Sequence, residues 1–417
     1  MSNLISRPVR RRTLLKAGLA IGAMQVASPF VVKSLADDPV KIGLDNPLTG
    51  TFAALGKNEL IGAQLALDQI NANNGILGRK VELLVEDSTS GDTATAVQKA
   101  DKLIDRDKVN FLIGNINSAL AQAMANESNQ KGVFHIVPGG HTDPITGTNC
   151  KWNVFRVCNT TTMDANAVTP ELVKRFGKKW FFITPDYAYG HTLQDAFIKA
   201  LTKLGGTYDG DYLPINNTDF SATLIKAKGY KPDVLLNNMG GLTQINCMKQ
   251  FTQFGMQKEM ALGGALFELE TVKAVSPEAQ TGWWDMEWWW NQPNVPEVIK
   301  FVADYRAATK KTPSARDWFG YVSMHSVRLA ADKAKSLEGP KLAKALEDYE
   351  LPPDVALQPG KVRYRAGDHE LMPNIFVGEA HPPKSGPDDI FTVAALVPGE
   401  EAAGTVADTG CKMEQPA

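Results

Sequence analysis

Short apolar runs alternate with segments of helical spacing along the chain from Pro39 onward. The runs VKIGL, KVELLVED, VNFLIGN and VFHIVPGG are rich in branched residues, which is typical of buried strands. One segment between them has apolar residues at intervals of three and four, namely Leu60, Ala63, Leu67 and Ile70. This alternation predicts a parallel sheet built from βαβ units.

The same alternation begins again after Asn159. KWFFITP, TYDGDYLPI, PDVLLNNM and EMALGGALF have strand character, and helical segments such as TLQDAFIKALTKLGG separate them. The sequence therefore predicts two similar α/β units in tandem. A long helical region from about 296 to 349 follows, and GKVRYRAGDHELMPNIFVGEA then has the pattern of paired strands. Proline and glycine fill the end of the chain and predict an irregular tail over 393–417.

Residues 1–36 differ from everything that follows. Basic residues precede an uncharged run over 17–32, and Ser34-Leu35-Ala36 provides a cleavage site of small residues. This pattern is typical of a secretory signal peptide cleaved near Ala36, and RRRTLLKAG resembles a twin-arginine signal. A membrane anchor is the alternative, but the run is shorter than the roughly 20 apolar residues of a spanning helix. We therefore expect an exported, periplasmic protein.

Composition narrows the class of the mature protein. The chain has 417 residues and is 43% apolar, so it can bury a large core, and its size favours two domains. Without residues 1–36 it keeps 38 of its 44 basic residues against 46 acidic ones. A mildly acidic chain without clusters of Lys and Arg lacks the basic surface that binding to nucleic acid requires.

The cysteines indicate a structural role. Cys150 lies in a polar loop and Cys411 in the polar tail, so we expect a disulfide bond between them that ties down the tail in the periplasm. Cys158 and Cys247 are candidates for buried thiols. Their spacing matches no zinc pattern, and we expect neither a metal nor a cofactor.

Catalytic patterns are missing from the chain. It has no HExxH, GxSxG or CxxC, and GTFAALGKN fails the spacing of a phosphate-binding loop. His135 lies within the apolar run VFHIV, where a hydrogen-bonded core histidine is favoured over a metal ligand. We therefore expect a protein that is not an enzyme.

Three loops follow predicted strands of the first unit, at the edge where open α/β sheets bind ligands. They are NPLTGTFAALG, NINSALAQ and PGGHTDP, and His141 lies in the last. Asn117 and Ser118 precede a helix, so they are either anion-binding groups or a helix cap. Gly139 and Gly140 allow a ligand to approach the backbone closely.

The second unit has an equivalent loop, TPDYAYGHTLQDAF, after its first predicted strand. It contains Asp186, Tyr187 and Tyr189. A tyrosine at this edge can stack on a ligand and form a hydrogen bond with it, or it can pack beneath its own loop.

Taken in order, these segments resemble the leucine/isoleucine/valine-binding group of periplasmic solute-binding proteins of ABC importers. The matching segments are KIGLDNPLTGTFAALGKNELIGAQLALDQINANNGILGRKVELLVEDS, FLIGNINSALA, PGGHTDPIT, DYAYGHTLQDAF, NTDFSATLIKAKGYKPDVLL and RAGDHE. The resemblance implies an α/β, type I periplasmic binding protein fold with two Rossmann-like lobes and a three-strand hinge. The first lobe would comprise 37–158 and 288–362, and the second 159–287 and 363–392.

The resemblance also implies ligand contacts. Ser118 falls where the amino-acid binders of this group hold the ligand carboxylate. Gly139, Gly140 and Thr142 fall in a second contacting loop, which is one residue longer here, so either His141 or Thr142 takes the role of a threonine. Tyr189 matches a tyrosine of the opposite lobe.

Two departures affect the ligand that the resemblance implies. Ala265 stands where amino-acid binders have a glutamate for the ligand ammonium group, and Leu55 replaces an aromatic wall residue. A buried ammonium without a carboxylate partner is costly. Unless Glu268 or Asp186 substitutes, the sequence favours a carboxylate without an α-amino group.

The stretch TGWWDMEWWWNQP, residues 281–293, contains five tryptophans. If 281–290 form one strand that crosses the hinge, their side chains alternate between two faces. Trp284, Trp288 and Trp290 would share one face, and Trp283 and Trp289 the other. Packing in the hinge and core is favoured, and a contact with the ligand stays open.

The function that follows is capture of a small organic ligand, an amino acid or another organic carboxylate, for an ABC importer. The partners would be a permease and its ATPase in the inner membrane, and the protein would be a monomer. A ligand sensor with the same fold, or an exported hydrolase, is the alternative.

Overall fold

The structure is a computed structural model that describes residues 38–414 and 416. The predicted signal peptide, residues 1–36, lies outside the described residues. The strands are β1 Val40–Asn46, β2 Val81–Asp87, β3 Phe111–Ile113, β4 Phe134–Val137, β5 Val154–Arg156, β6 Lys179–Pro185, β7 Thr207–Leu213, β8 Val234–Asn237, β9 Ala261–Gly264, β10 Trp283–Met286, β11 Ile375–Ala380 and β12 Phe391–Val397.

Helices connect most of these strands. They are α1 Ala53–Ala72, α2 Thr93–Asp101, α3 Ser118–Gln130, α4 Thr161–Phe176, α5 Ala188–Lys203, α6 Ser221–Tyr230, α7 Gly241–Gln253, α8 Leu269–Lys273, α9 Pro296–Thr309, α10 Ala315–Ala334, α11 Gly339–Leu346, α12 Pro353–Ala356, α13 Gly399–Ala403 and α14 Val406–Thr409. Among the described residues, no helix has the length and the apolar composition that crossing a membrane requires.

The strands form two sheets. The first is parallel throughout, in the order β2-β1-β3-β4-β5. The second has the order β12-β11-β10-β9-β8-β6-β7, in which β11 runs antiparallel to both β10 and β12. Helices cover both faces of each sheet, as the apolar runs on both faces of parallel strands require. The predicted α/β class with two Rossmann-like units is confirmed.

Each sheet has its own apolar core and forms one lobe. We call the part with the five-stranded sheet the first lobe, and the part with the seven-stranded sheet the second lobe. Helices α9, α10 and α11 return to the core of the first lobe, so the chain crosses between the lobes after β5, after β10 and before β11. The predicted hinge of three connections is therefore present.

The third crossing lies later in the chain than the sequence predicted. Tyr364 and Leu371 pack in the core of the first lobe, whereas Met372 packs in that of the second. The Tyr364 hydroxyl also lies 2.9 Å from Ser326 Oγ on α10. The assignment of 363–371 to the second lobe is therefore wrong, because the strand pattern of this segment does not specify which sheet it joins.

The tryptophans pack inside the lobes. Strand β10 ends at Met286, so the prediction of a single strand over 281–290 is wrong, and so is the alternation that followed from it. Trp288 belongs to the first lobe and donates its Nε1–H to the Leu357 carbonyl at 2.7 Å. Trp283, Trp284 and Trp289 belong to cores of the second lobe. Partly buried Trp290 packs against both lobes.

The predicted irregular tail contains regular structure. Its first residues complete β12, and α13 packs against α4 of the second lobe. The prediction over 393–417 is therefore wrong, because the flanking prolines and glycines obscured the β-branched run FTVAALV between them.

The predictions of a disulfide bond, of two buried thiols and of His135 as a core histidine are confirmed. A disulfide bond joins Cys150 to Cys411, and Cys158 and Cys247 are buried free thiols. His135 is fully buried, and its Nε2 lies 2.6 Å from the Gly114 carbonyl oxygen. Burial lowers the pKa of His135 to about 4, as expected for a neutral core histidine.

Candidate ligand site between the lobes

A pocket lies between the lobes, at the edge where the parallel strands of the first sheet end. Its cavity volume is about 30 Å³. The lining residues are Phe52, Leu55, Ile116, Ser118, Tyr187, Tyr189, Met239, Gly240, Gly241, Gln244, Leu266, Glu268 and Arg316. Both lobes contribute, so a ligand here would be enclosed by their closure.

Several helices begin at this pocket. Ser118, Gly241 and Arg316 lie in the first turns of α3, α7 and α10, and Tyr187 directly precedes α5. The first N–H groups of a helix have no partner within it, and the helix dipole is positive at this end. Their convergence favours an anionic group in the pocket.

One part of the wall is apolar. Phe52, Leu55 and Ile116 of the first lobe form a small cluster, against which Tyr187 of the second lobe packs. The ring centroids of Phe52 and Tyr187 are 6.4 Å apart. Met239 adds a flexible apolar side chain from the second lobe.

Gly241 allows the lobes to approach each other here. It has a φ of +56°, and a Cβ at this position would lie 2.4 Å from the Thr51 carbonyl oxygen of the first lobe. The next amide, Leu242 N–H, donates to that same carbonyl at 3.3 Å. A larger residue would disturb this contact between the lobes.

Arg316 joins the lobes at the pocket. A capping box formed by Ser314 and Asp317 sets the start of α10 and so places Arg316. Its Nη2 lies 2.6 Å from Glu268 Oε1 of the second lobe, and its Nη1 lies 3.2 Å from Glu59 Oε1 of the first. All three side chains are almost completely buried.

Burial shifts the pKa values of Arg316, Glu59 and Glu268. Burial raises the pKa of Glu59 to about 7 and also raises the pKa of Glu268. Burial alone would lower the pKa of Arg316, but the carboxylates of Glu268 and Glu59 raise it, so the guanidinium stays charged. Among the described residues, Glu268 Oε2 and Gln244 Oε1 have no hydrogen-bond partner. The pocket therefore contains acceptors that a ligand donor can satisfy.

Ser118, a candidate ligand contact from the sequence, lines the pocket. Its Oγ accepts the Thr142 N–H at 3.2 Å. Thr142 does not line the pocket, and its Oγ1 lies 3.1 Å from Thr192 Oγ1 of the second lobe. Asn117 is the helix cap, because its Oδ1 accepts the Ala119 N–H at 2.9 Å.

Arg156 holds the loop after β4. It is fully buried, its Nη1 donates to the Thr142 carbonyl at 2.7 Å, and its Nε donates to Glu370 at 2.6 Å. Gly139 and Gly140 lie behind the pocket wall rather than in it. A Cβ on Gly139 would lie 2.5 Å from Arg316 Nη1, so this glycine leaves room for the ion pair.

The remaining predicted residues divide between the pocket and other parts of the fold. Tyr189 and Leu55 line the pocket, whereas His141 is directed toward Asp164 and Glu287 at the hinge. Asp186 is exposed, and its Oδ1 lies 2.9 Å from His191 Nε2. The sequence offered Asp186 as a partner for a ligand ammonium group, and its position on the surface excludes that role.

Ala265 also lies outside the pocket lining. Its side chain packs in a core of the second lobe, and the following residues carry the chain to the pocket. Of the two substitutes that the sequence named for the glutamate, Glu268 is the one that reaches the pocket.

Several lining residues were not predicted, above all Arg316, Phe52 and Gln244. Arg316 comes from α10, far along the chain from the strand-end loops. Its only signal in the sequence is a charged residue two positions after a capping serine, Ser314.

Comparison with known proteins identifies the family. The model of the periplasmic binding protein family matches residues 39–387. The Leu/Ile/Val-binding protein BraC3 of Rhizobium johnstonii is 29% identical over 352 residues, which cover 79% of this chain and 88% of that protein.

Solved structures of periplasmic binding proteins are also similar to this chain. A periplasmic binding protein from Burkholderia mallei has 27% sequence identity and a TM-score of 0.83, with coverage of 90% of this chain and 98% of that one. A branched chain amino acid ABC transporter periplasmic ligand-binding protein from Burkholderia xenovorans has 25% identity and a TM-score of 0.77, with coverage of 89% and 99%. The chain therefore belongs to the periplasmic binding protein family, whose members are substrate-binding proteins of ABC transporters and not enzymes.

Proposed function

We propose that this protein captures a small amino acid with an apolar side chain and delivers it to the permease of an ABC importer. The observation that carries the proposal is a pocket that combines an apolar wall with Ser118 and an unpartnered oxygen of Glu268. Each of these features matches one group of such a ligand.

The ligand carboxylate is assigned to the Ser118 side of the pocket. The Ser118 hydroxyl accepts the Thr142 N–H, which leaves its own proton for a ligand oxygen. The helices that begin at the pocket add a positive potential. Hydrogen bonds to an ionised group are stronger than those between neutral groups.

The ligand ammonium is assigned to Glu268. Its Oε1 is occupied by Arg316, while its buried Oε2 has no partner among the described residues. An unpaired buried carboxylate oxygen is costly, and an ammonium group would satisfy it. Glu268 then does what the glutamate missing at position 265 does in the amino-acid binders that the sequence resembles.

The side chain of the ligand is assigned to the apolar wall. Phe52, Leu55, Ile116, Tyr187 and Met239 provide no charged group, so a charged ligand side chain would lose its hydration without compensation. The names of the Leu/Ile/Val-binding relatives support the same class of ligand.

Delivery to the membrane completes the proposal. We propose export to the periplasm with cleavage near Ala36, action as a monomer, and recognition of the closed form by a permease with its ATPase. Contacts between the lobes, such as that of Arg316 with Glu268, stabilise the closed form. Bound ligand would shift the equilibrium between open and closed forms further toward the closed form. Loss of amino-acid uptake in cells that lack the gene would support import, and normal uptake would favour a sensor.

The test of the ligand class is a thermal-shift comparison with matched compounds. Ligand at about 100 times its dissociation constant stabilises the folded state by about 2.7 kcal/mol. We expect L-leucine to raise the melting temperature of the mature protein, and 4-methylpentanoate, the same skeleton without the amino group, to have little effect. A shift with 4-methylpentanoate or benzoate but not with leucine would contradict the assignment of Glu268.

A further inference from the structure

A second cluster of polar side chains lies at the hinge and takes no part in the proposed pocket. His141 follows β4 of the first lobe, Asp164 lies on α4 of the second, and Glu287 directly follows β10. Their exposed fractions are 2%, 0% and 2%. The cluster therefore combines groups from both lobes and from a hinge connection.

The polar atoms of the three side chains lie close together. His141 Nδ1 lies 3.6 Å from Asp164 Oδ2 and 3.6 Å from Glu287 Oε1. One nitrogen or oxygen from each residue can be chosen so that all three lie within 4.8 Å of one another. These separations are long for direct hydrogen bonds. On a tetrahedral zinc ion with bonds of about 2.0–2.2 Å, ligand atoms lie about 3.3–3.6 Å apart.

The cluster is only partly satisfied, since Asn159 donates its backbone N–H to Glu287 Oε1 and its Nδ2–H to Asp164 Oδ1 at 3.0 Å, and other atoms of the cluster lack partners. Among the described residues, neither ring nitrogen of His141 has a hydrogen-bond partner, and the same is true of Asp164 Oδ2. Asp285 lies on β10, two residues before Glu287. It is also fully buried, and neither of its carboxylate oxygens has a hydrogen-bond partner among the described residues. Buried carboxylates without a counter-ion are costly, and a buried polar group normally has a partner.

The nearest arginines are already engaged. Arg156 is paired with Glu370, and Arg316 with Glu59 and Glu268. Neither guanidinium is therefore available as the main counter-charge for carboxylates of the cluster. A divalent cation would supply both a counter-charge and the missing partners.

We propose that His141, Asp164 and Glu287 bind a divalent transition-metal ion at the hinge. One imidazole nitrogen and two carboxylates form a ligand set that suits Zn²⁺ and also Mn²⁺. The sequence showed no such pattern, because these residues are far apart in the chain and only the fold brings them together. The cysteine spacings carry no information about this site.

The proposed metal ligands come from both lobes and from a hinge connection, so metal binding affects closure of the lobes. A metal held by His141 of the first lobe and Asp164 of the second is fully coordinated only when the lobes are closed. Metal binding therefore favours the closed form and tightens binding of the organic ligand, and the organic ligand tightens metal binding by the same factor.

The test is calorimetric titration of zinc chloride into tag-free mature protein that has been stripped with EDTA and dialysed. No organic ligand is present, so the outcome does not depend on the proposed function. We expect one zinc ion to bind, and His141→Gln to lose at least tenfold in affinity. His191→Gln is the matched control, because His191 also lies beside a carboxylate but is exposed, and it should bind as the wild type does.

Two further variants separate binding from folding. Asp164→Asn and Glu287→Gln remove a ligand charge and also reduce repulsion within the cluster, so their metal-free melting temperatures should stay unchanged or rise. Both should lose the stabilisation that zinc gives the wild type. The proposal is overturned if the wild type binds no Zn²⁺ or Mn²⁺, or if folded variants at all three positions bind zinc as tightly as the wild type.

Discussion

The disulfide bond links the end of the chain to the first lobe. The tail leaves the second lobe through β12 and α13, while Cys150 lies in the first lobe just before β5. The last helix, α14, buries none of its side chains, so apolar packing does little to hold it. Replacing Cys150 and Cys411 together by serine removes the link without leaving a free thiol at either position.

The size of the effect follows from the length of the closed loop. The cysteines are 261 residues apart. The chain-entropy relation for a loop of this length predicts that the bond stabilises the folded state by roughly 5–6 kcal/mol. Residual structure in the unfolded chain reduces such values, and removal of a native disulfide typically costs about 2–5 kcal/mol. We expect the double variant to lose a free energy of unfolding in that range.

Urea unfolding of the mature, oxidised protein measures this loss. The double variant should unfold at a lower urea concentration and with a steeper slope, because its unfolded chain exposes more surface. Reductant should shift the wild type to the midpoint of the variant and leave the variant unchanged, since Cys158 and Cys247 are free thiols in both. A difference below about 1 kcal/mol between the oxidised wild type and the variant would refute the entropic reasoning.

Three further predictions concern the pocket, the buried carboxyls and the core. Ser118→Ala should weaken ligand binding by about 1–3 kcal/mol, and an unchanged dissociation constant in calorimetry would remove Ser118 from the site. Burial raises the pKa of Asp45 to about 8 and that of Glu59 to about 7, so both keep protons in the folded state that the unfolded chain has lost. The free energy of unfolding should therefore fall as the pH rises from about 4.5 to 8, and greater stability in urea at pH 8 than at pH 5 would contradict this. Trp288→Ala should cost about 3–5 kcal/mol in urea unfolding and Trp290→Ala clearly less, and equal losses would be inconsistent with their burial.

Much of the fold could be predicted because hydrophobic periodicity is local. The strand runs from VKIGL to EMALGGALF all overlap strands of the structure. Central strands such as β1 and β8 are buried on both faces, whereas β2 and β7 at the sheet edges are partly exposed. The lobe to which a segment belongs could not always be predicted from its pattern. Tyr364 and Leu371 have a strand pattern that fits either sheet, and only packing against α10 assigns them to the first.

The site could be predicted only in part. Ser118 and Tyr189 lie in loops that the rule of ligand binding at the carboxyl ends of parallel strands indicated, whereas Leu55 was named through the family resemblance. Arg316 lies on a helix that returns to the first lobe after the second crossing, so no local pattern connects it with Glu268. The hinge cluster is hidden for the same reason, because His141 and Glu287 meet only through the fold.

The most direct test of the central claim is calorimetric titration of L-leucine into the wild type, Glu268→Gln and Glu59→Gln. Both glutamates pair with Arg316, but only Glu268 lines the pocket. Loss of a hydrogen bond between charged groups costs about 1.5–3 kcal/mol, so Glu268→Gln should bind leucine at least tenfold more weakly. Glu59→Gln should bind nearly as the wild type does. Unchanged leucine binding by Glu268→Gln, or an equal loss in both variants, would contradict the assignment of the ligand ammonium to Glu268.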